Sequence, residues 1–277
     1  MAIGHQGRLP GPGANRMPPA ARRGLIVEIL DREGSVTTGR LAEETNVSVV
    51  TIHRDLELME AEGSLVRIRG GATVPSGRGA QVRFVTNWEA RLAAHADAKR
   101  AIAREAHRLI EPSSTIFIDG STTALALAVA LDADPVPVTV VTDSPAAVVA
   151  MHAPEVQIVM VPGHVDHDLR MLSGRWTTDF IRELNYTAAF VSCAAVDLKA
   201  GATTTRREIL DVLQTVMERS QATYCLADSS KFGRAAMLGI AAVTDFDAVL
   251  TDDRLDASVA AAYRASGVRL VECRLRP

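Results

Sequence analysis

Residues 47–72 read VSVVTIHRDLELMEAEGSLVRIRGGA, and this stretch decides the fold of the front of the chain. Ser48 can cap a helix in which Ile52, Leu56 and Met59 lie on one face, at the i, i+4, i+7 spacing of residues that pack into a core. After that helix come LVRIR, a Gly-Gly pair and ATV, which predict a two-stranded hairpin with a tight turn. A helix followed by such a hairpin is typical of a winged helix-turn-helix.

Two further helices are predicted ahead of this stretch, and the apolar residues of each lie on one face. These residues are Leu25, Ile26, Ile29 and Leu30 in the first helix, and Leu41 and Ala42 in the second. Thr37 or Thr38 can cap the second helix, and Asn46 begins the short turn that leads into the third. The front of the chain is therefore predicted as three helices and a hairpin.

The third predicted helix leaves a second face pointing outward near its N-terminus, where a helix-turn-helix protein places side chains against base edges. The candidate DNA-contacting residues on this face are Ser48, Val49, Thr51, His53 and Arg54. Arg67 and Arg69 alternate onto one side of the hairpin, which suits a wing that lies along a phosphate backbone. The sequence therefore predicts double-stranded DNA as a partner.

The composition predicts a folded protein of the cytoplasm. The chain has 277 residues, of which 47% are hydrophobic, so it can bury a sizeable core. We find no apolar run long enough for a membrane helix and no signal peptide, so we expect neither membrane contact nor export. The cysteines Cys193, Cys225 and Cys273 form no CxxC pair. Among 30 basic residues only Lys99, Lys199 and Lys231 are lysines, which raises the question of whether arginine would fail there.

The domain boundaries follow from changes in composition and periodicity. Residues 1–20 predict a disordered tail, and residues 21–76 predict the winged helix-turn-helix. A linker is expected at residues 77–97, followed by an effector-sensing α/β domain at residues 98–277. In this last part, short strands that are apolar throughout alternate with helices, which predicts a mainly parallel sheet covered on both faces.

Ligands of such sheets bind beyond the carboxyl ends of the strands. Polar residues stand at these ends, and those predicted to bind an effector are Asp119, Gly120, Ser121, Thr122, Thr123, Asp143, Glu208 and Lys231. The 120–123 turn can offer N–H groups and hydroxyls to an anion, although a simple helix cap explains part of it. Lys231 suits a phosphate, while Asp119 and Glu208 suit sugar hydroxyls, although Glu208 could equally be an ordinary solvated carboxylate.

The loop GHVDHD, residues 163–168, contains four residues of types that bind metals, close together. Zinc ligands are normally spaced by structure rather than packed into one loop, so we interpret this segment as a mobile flap over the pocket. We expect no metal site and no cofactor.

The stretch at residues 47–72 resembles the DeoR family of bacterial transcription regulators, whose signature reads V-S-x-x-T-I-R-R-D-L and then L-x-x-x-G-x-L-x-R-x-H-G-G-A. His53 stands where the family usually has arginine, and Arg69 where it usually has histidine. A neutral imidazole cannot match the arginine fork on guanine, so base recognition at His53 is expected to differ from that of the family.

The back of the chain resembles the sensor domain of the same family through K-x-x-I-A-x-x-A-x-x-L-I, D-x-x-T-T, V-x-T-(N/D)-S, T-x-x-x-E and D-S-S-K-F-G. The resemblance implies a fold similar to ribose-phosphate isomerases and glucosamine-phosphate deaminases, and binding of phosphorylated sugars or related metabolites. Asp143 stands where the family usually has asparagine, and an extra carboxylate there disfavours a strongly anionic effector.

These observations predict a homo-oligomeric DNA-binding regulator rather than an enzyme, a repressor of carbohydrate metabolism genes that is controlled by a phosphorylated sugar. The alternative is a sugar-phosphate isomerase or deaminase fused to a DNA-binding domain. An enzyme has no need of a recognition helix, which favours the regulator. A structural or protein-interaction role has no specific feature in its favour.

Overall fold

The computed structural model of the protein describes residues 17–33, 35–61, 64–68, 70–73 and 88–275. Its helices are α1 (Pro19–Glu33), α2 (Thr38–Thr45), α3 (Val49–Ala61), α4 (Trp88–Ala93), α5 (Ala96–His107), α6 (Thr122–Ala133), α7 (Pro145–Ala150), α8 (Arg175–Arg182), α9 (Arg207–Glu218) and α10 (Ala257–Ala265). Its strands are β1 (Ser35–Thr37), β2 (Val66–Ile68), β3 (Gly71–Thr73), β4 (Thr115–Ile118), β5 (Val138–Thr142), β6 (Val156–Met160), β7 (His164–Asp166), β8 (Met171–Ser173), β9 (Tyr186–Val191), β10 (Ala195–Asp197), β11 (Gly201–Thr204), β12 (Ser220–Leu226), β13 (Leu238–Ala241), β14 (Ala248–Asp252) and β15 (Leu270–Cys273).

The front of the chain is a winged helix-turn-helix, as predicted. The predicted core residues Ile52, Leu56 and Met59 of α3 are at most 2% exposed and pack with residues of α1 and α2. The wing is larger than the predicted hairpin, because β1 joins it to make a three-stranded sheet in the order β1-β3-β2, with Val36 opposite Ala72. A strand of three residues is too short to show an alternating pattern.

A buried ion pair ties α1 to α3. Arg22 donates from Nε to Asp55 Oδ2 at 2.5 Å and from Nη2 to Asp55 Oδ1 at 3.2 Å. Both residues are almost fully buried, at 6% and 4% exposure. Removing one partner of such a pair leaves an uncompensated charge in the core, so the position of α3 depends on that of α1.

The back of the chain contains the predicted parallel sheet, in the order β15-β14-β12-β9-β4-β5-β6. All six neighbouring pairs are parallel. One face packs against α5, α6 and α7, and the other against α8, α9 and α10. Two smaller antiparallel sheets, β10-β11-β13 and the hairpin β7-β8, were not predicted. No helix in the described part of the chain is long and apolar enough to cross a membrane.

The segment between the two parts differs from the prediction. Inside the predicted linker, residues 77–97, the chain forms α4 and begins α5. Helix α4 packs on α1 so closely that a Cβ atom on Gly24 would lie 2.9 Å from that of Ala93. Glu28 Oε1 accepts a hydrogen bond from the His95 amide at 2.6 Å. A helix of six residues carries too few periodic positions to be found by pattern.

The predicted tail is also shorter than expected at its end, since α1 begins at Pro19. The rest of that tail, residues 1–16, lies outside the described residues, as do Gly34, Gly63, Arg69 and residues 74–87.

Candidate functional site

The candidate DNA-binding surface lies on the solvent side of α3. Ser48 caps this helix, because its Oγ accepts a hydrogen bond from the Thr51 amide at 3.3 Å. His53 and Arg54 are exposed, and Val49 is 43% exposed. The structure therefore brings the predicted residues of this helix together on one accessible face.

Val50 belongs to this surface too and was missed by the sequence analysis. It is 78% exposed, beside Val49 near the start of α3. An exposed apolar side chain at this place can contact a thymine methyl group. Val50 does not lie on the apolar face that contains Ile52, and this position in the sequence pattern could have identified it.

Arg67 contacts two acidic residues of α3. Its Nη1 atom lies 3.0 Å from Glu57 Oε1, and its amide donates to Glu60 Oε1 at 2.9 Å. Glu57 must therefore release Arg67 before this arginine can contact a phosphate. Arg69, the other predicted wing residue, lies outside the described residues.

The candidate effector site lies at the carboxyl edge of the large sheet, where Asp119 follows β4. The Asp119 carboxylate is 5% exposed and accepts hydrogen bonds from the amides of Ser121 at 3.1 Å and Ser192 at 2.7 Å. Burial raises the pKa of Asp119, while these hydrogen bonds and the charge of Lys231 oppose the rise. Ser121 also caps α6, since its Oγ accepts from the Ala124 amide at 3.0 Å.

Lys231 reaches the same network from the turn after β12. Its Nζ donates to Ser192 Oγ at 2.8 Å, and that hydroxyl donates in turn to the Leu226 carbonyl at 2.7 Å. Beside it Asp228 is buried; burial raises its pKa, but Lys231, His95 and other partners lower it overall. Ser192 thus joins Lys231 and Asp119, two residues that the sequence analysis placed in one pocket.

Three side chains around the 119–123 turn are buried without completed hydrogen bonds. Thr123 Oγ1, both oxygens of Asp143, and Nε and Nη2 of Arg91 have no hydrogen-bond partner within the described ranges of the chain. The Thr122 hydroxyl, next to them, donates to the Arg91 carbonyl at 3.4 Å. A buried polar group without a partner costs about 1–3 kcal/mol, so a group of them in one place is a site that a polar ligand can complete.

Asp143 follows β5 and is fully buried. Burial raises its pKa well above the ordinary value, and the neighbouring charge of Asp119 raises it further. The amides of Asp143 itself and of Gly120 lower the pKa only in part, and neither completes a hydrogen bond with the carboxylate.

Arg91 and Lys99 belong to the site and were not predicted there. Burial lowers the pKa of the Arg91 guanidinium, which Asp119 and Asp166 oppose. Lys99 donates from Nζ to the carbonyls of Arg91 and Ala94, the latter at 2.7 Å, and burial lowers its pKa to about 7. The scarcity of lysine had pointed to Lys99, but nothing in the predicted linker distinguished Arg91.

The GHVDHD segment lies near Arg91, on which the charge of Asp166 acts, whereas Glu208 lies apart from the buried group. Glu208 is exposed and pairs with Arg206 at 3.3 Å, so the structure does not bring it to the buried group. In the GHVDHD segment Asp166 pairs with Arg206 at 2.7 Å, while the His164 ring stacks on Trp176. No cluster of three or more potential metal-binding side chains occurs among the residues that the structure describes.

Comparison with known proteins identifies the family of the chain. Residues 22–78 match the family model of the DeoR-like helix-turn-helix domain, and residues 94–253 match that of the DeoR C-terminal sensor domain. The sensor match covers more than half of the chain. The protein belongs to the DeoR family and is a DNA-binding transcription regulator.

Two relatives from Escherichia coli strain K12 span most of the chain. The uncharacterized HTH-type transcriptional regulator YgbI is 28% identical over 89% of this chain and 94% of its own length. The glycerol-3-phosphate regulon repressor is 29% identical over 85% of this chain and 92% of its own length. Among solved structures, ribose 5-phosphate isomerase A of Neisseria gonorrhoeae covers 48% of this chain and 52% of its own, with 16% identity and a TM-score of 0.36.

The arginine at the centre of the exposed α3 face should discriminate between sequences. Arg54→Ala is expected to weaken operator binding more than binding to random duplex, by about 1–3 kcal/mol, because it removes a base-edge contact. Arg67→Ala should weaken both alike and reduce the salt slope by about one unit or less, since Glu57 already holds that side chain. Fluorescence anisotropy with both duplexes at several salt concentrations measures this. Arg182→Ala, an exposed position on α8, is the control, and an unchanged ratio for Arg54→Ala would contradict the assignment.

The buried ammonium of Lys99 should give stability a defined pH dependence. Its pKa is about 7 in the folded protein against an ordinary 10.5, so the unfolded chain binds more protons between these values. The free energy of unfolding should therefore rise with pH across this window, by at most about 1.4 kcal/mol per pH unit. Denaturant unfolding of wild type and Lys99→Met from pH 7 to 9 isolates this rise. Lys199→Met, at an exposed position, should behave like wild type. A constant difference between wild type and Lys99→Met would refute the buried environment.

Proposed function

We propose that this regulator is a cytoplasmic repressor whose affinity for its operator is controlled by a phosphorylated sugar or related small molecule. The observation that carries the proposal is the group of buried, incompletely hydrogen-bonded side chains around the 119–123 turn. The name of the Escherichia coli relative, a glycerol-3-phosphate regulon repressor, fits a phosphorylated ligand.

Three features at this place favour an anionic group on the ligand. The N-terminus of α6, a helix of 12 residues, directs free backbone N–H groups at the site. Lys231 supplies a compact positive charge from one side, and the Arg91 guanidinium supplies two unused donor atoms from the other. Asp119 lies between them and accepts hydroxyl groups of the ligand.

Helix α4 supplies the connection to the DNA-binding domain. It carries Arg91 into the site and packs against α1 through Ala93 and Gly24. Helix α1 in turn holds the recognition helix through the buried pair of Arg22 and Asp55. A ligand that engages Arg91 thus shifts α4, and the shift reaches α3 through side chains that are already in contact. Because coupling is reciprocal, operator binding must change ligand affinity by the same factor.

The enzymatic alternative, an isomerase or deaminase, needs a base that is free to accept a proton. Asp119 is linked to Lys231 through Ser192, and both of its oxygens already accept backbone hydrogen bonds. Those bonds suit a group that holds a ligand, and the relatives are named as regulators. We therefore favour sensing over turnover.

The same protein is proposed to act as a homo-oligomer, because one winged helix buries too little DNA surface for high specific affinity. Two copies would read repeated half-sites. The sensor domain exposes apolar side chains on α6 and α7, Val129 at 53% and Val149 at 73%, which can contribute to such an interface. Light scattering should show at least a dimer at micromolar concentration. A monomer both free and on DNA would contradict this expectation.

Substitution of Lys231 should separate ligand response from DNA binding. Lys231→Ala is expected to abolish release of the operator by ligand. Operator affinity without ligand should change less than about twofold, because Lys231 contacts Ser192 at the sheet edge and acts only through the site. Lys231→Arg should be impaired as well, since a planar guanidinium replaces a point charge in a confined place.

The measurement is operator binding by fluorescence anisotropy, with and without a panel of glycerol 3-phosphate, glucose 6-phosphate, fructose 1-phosphate and glucosamine 6-phosphate. Lys199→Ala, at an exposed lysine, is the matched control. An equal ligand response in Lys231→Ala and wild type would remove Lys231 from the site. No response of wild type to any phosphorylated sugar would overturn the proposed function.

A further inference from the structure

Asp143 is distinct from the other buried aspartates of the described chain. Those others each have partners: Asp55 pairs with Arg22, Asp119 accepts two amide hydrogen bonds, Asp228 is stabilised by Lys231, and Asp252 accepts from the amide and hydroxyl of Ser229 at 2.7 and 3.0 Å. Asp143, at 0% exposure, has no hydrogen-bond partner for either oxygen within the described residues. The hydrogen-bond partner that this carboxyl group needs is therefore not among the described residues.

The backbone around Asp143 holds the carboxyl group in place. The Leu172 amide donates to the Asp143 carbonyl at 2.8 Å, which fixes it to the β7-β8 hairpin. On the other side the Thr142 hydroxyl donates to the Ile118 carbonyl at 2.7 Å, which fixes it to β4. Asp143 therefore cannot move away to find water or a cation, and its partner has to come to it.

The carboxyl group faces the turn at which we place the ligand. A Cβ atom on Gly120 would lie 2.7 Å from Met171 Cβ and 3.3 Å from Asp143 Oδ1, so the absence of a side chain at residue 120 lets the turn lie directly against this carboxyl group. The same turn leads into the N-terminus of α6, beside Lys231 and Arg91. The site thus offers hydrogen-bond donors to an anion on one side. On the other side it has the Asp143 carboxyl group, which lacks a hydrogen-bond partner within the described residues.

The charge environment decides which group suits Asp143. Among the described residues, the charged side chain that acts on the pKa of Asp143 is the neighbouring Asp119, which raises it. A ligand hydroxyl could form a hydrogen bond there but would not offset the negative charge of Asp119, which disfavours ionisation of Asp143. A metal ion is disfavoured, because the described residues offer no cluster of three potential ligands. A ligand ammonium attracts both carboxylates and so favours the charged form of Asp143, and any proton that this acid held before binding is released to water.

We infer that Asp143 binds a protonated amine of the effector, so that the ligand is an amino sugar phosphate with a free amine, held by its phosphate near Lys231 and by its amine at Asp143. This inference rests on the proposed function and narrows its ligand class. A ligand hydroxyl would need only the uncharged amide of an asparagine at residue 143. Binding of a charged amine explains why an acid stands at this position.

Matched ligand pairs test the inference by isothermal titration calorimetry on the full-length protein. Glucosamine 6-phosphate is compared with glucose 6-phosphate, and galactosamine 6-phosphate with galactose 6-phosphate, because each pair differs only in amine against hydroxyl. Wild type should bind the amine of at least one pair about tenfold more tightly or better, as expected for a hydrogen bond between charged groups. N-acetylglucosamine 6-phosphate, which has no charge at that nitrogen, should gain no such preference.

Asp143→Asn keeps the shape of the side chain and removes its charge, so it should fold and lose the preference to within about twofold. Asp168→Asn, at an exposed acid of the nearby loop, should keep the preference. If wild type bound the sugar phosphates without an amine equally or more tightly, this inference would be overturned and the proposed function would stay intact. Retention of the preference in Asp143→Asn would also overturn it. Absence of binding by every sugar phosphate would overturn both.

Discussion

Parallel pairing of the seven central strands is the constraint on which the proposed effector site depends. It places every strand's carboxyl end at one edge of the sheet, where the backbone leaves the ladder and its amides become available to side chains. Asp119 and Asp143 follow neighbouring strands β4 and β5, and Ser192 follows β9 on the other side of β4. Residues far apart in sequence therefore meet without any long loop to bring them together. The cost is that several of their polar atoms are buried before a ligand arrives.

Helix α4 is positioned by its contacts rather than by its own stability. Isolated helices shorter than about 12 residues are marginal in water, and this one has six. The Lys99 ammonium donates hydrogen bonds to the carbonyls of Arg91 and Ala94, near the C-terminal end of α4. The Thr122 hydroxyl donates to the Arg91 carbonyl from the sensor domain. Glu28 fixes the chain just beyond it from α1. A helix held from both sides is sensitive to a change on either.

Sequence patterns predicted the large elements and failed on the short ones for a physical reason. A strand buried on both faces is apolar along its whole length, so all seven strands of the parallel sheet were visible, as was the α3 face of Ile52, Leu56 and Met59. Strands β1, β7 and β10 have three residues each, too few for any period. Glu208 satisfied a motif but points to solvent, because its place in the first turn of α9 is set by packing that a motif does not encode. Arg91 lay in a stretch without periodicity, and only the three-dimensional contact of α4 with the sheet edge reveals it.

A ligand can move an equilibrium only by the difference in its contacts between two states. Most groups of the proposed site, including Asp119, Ser192 and Lys231, are carried by the sheet edge and are held there by their mutual hydrogen bonds. Such groups can contribute to ligand affinity, but they contribute little to the coupling between ligand binding and DNA binding. Arg91 differs, because within the described structure it is carried by the helix that also packs on α1, and its guanidinium has donors still to be satisfied. We therefore propose that the sheet edge sets the affinity and the selectivity of this sensor, and that the free energy that reaches the recognition helix passes through the contact of the ligand with α4.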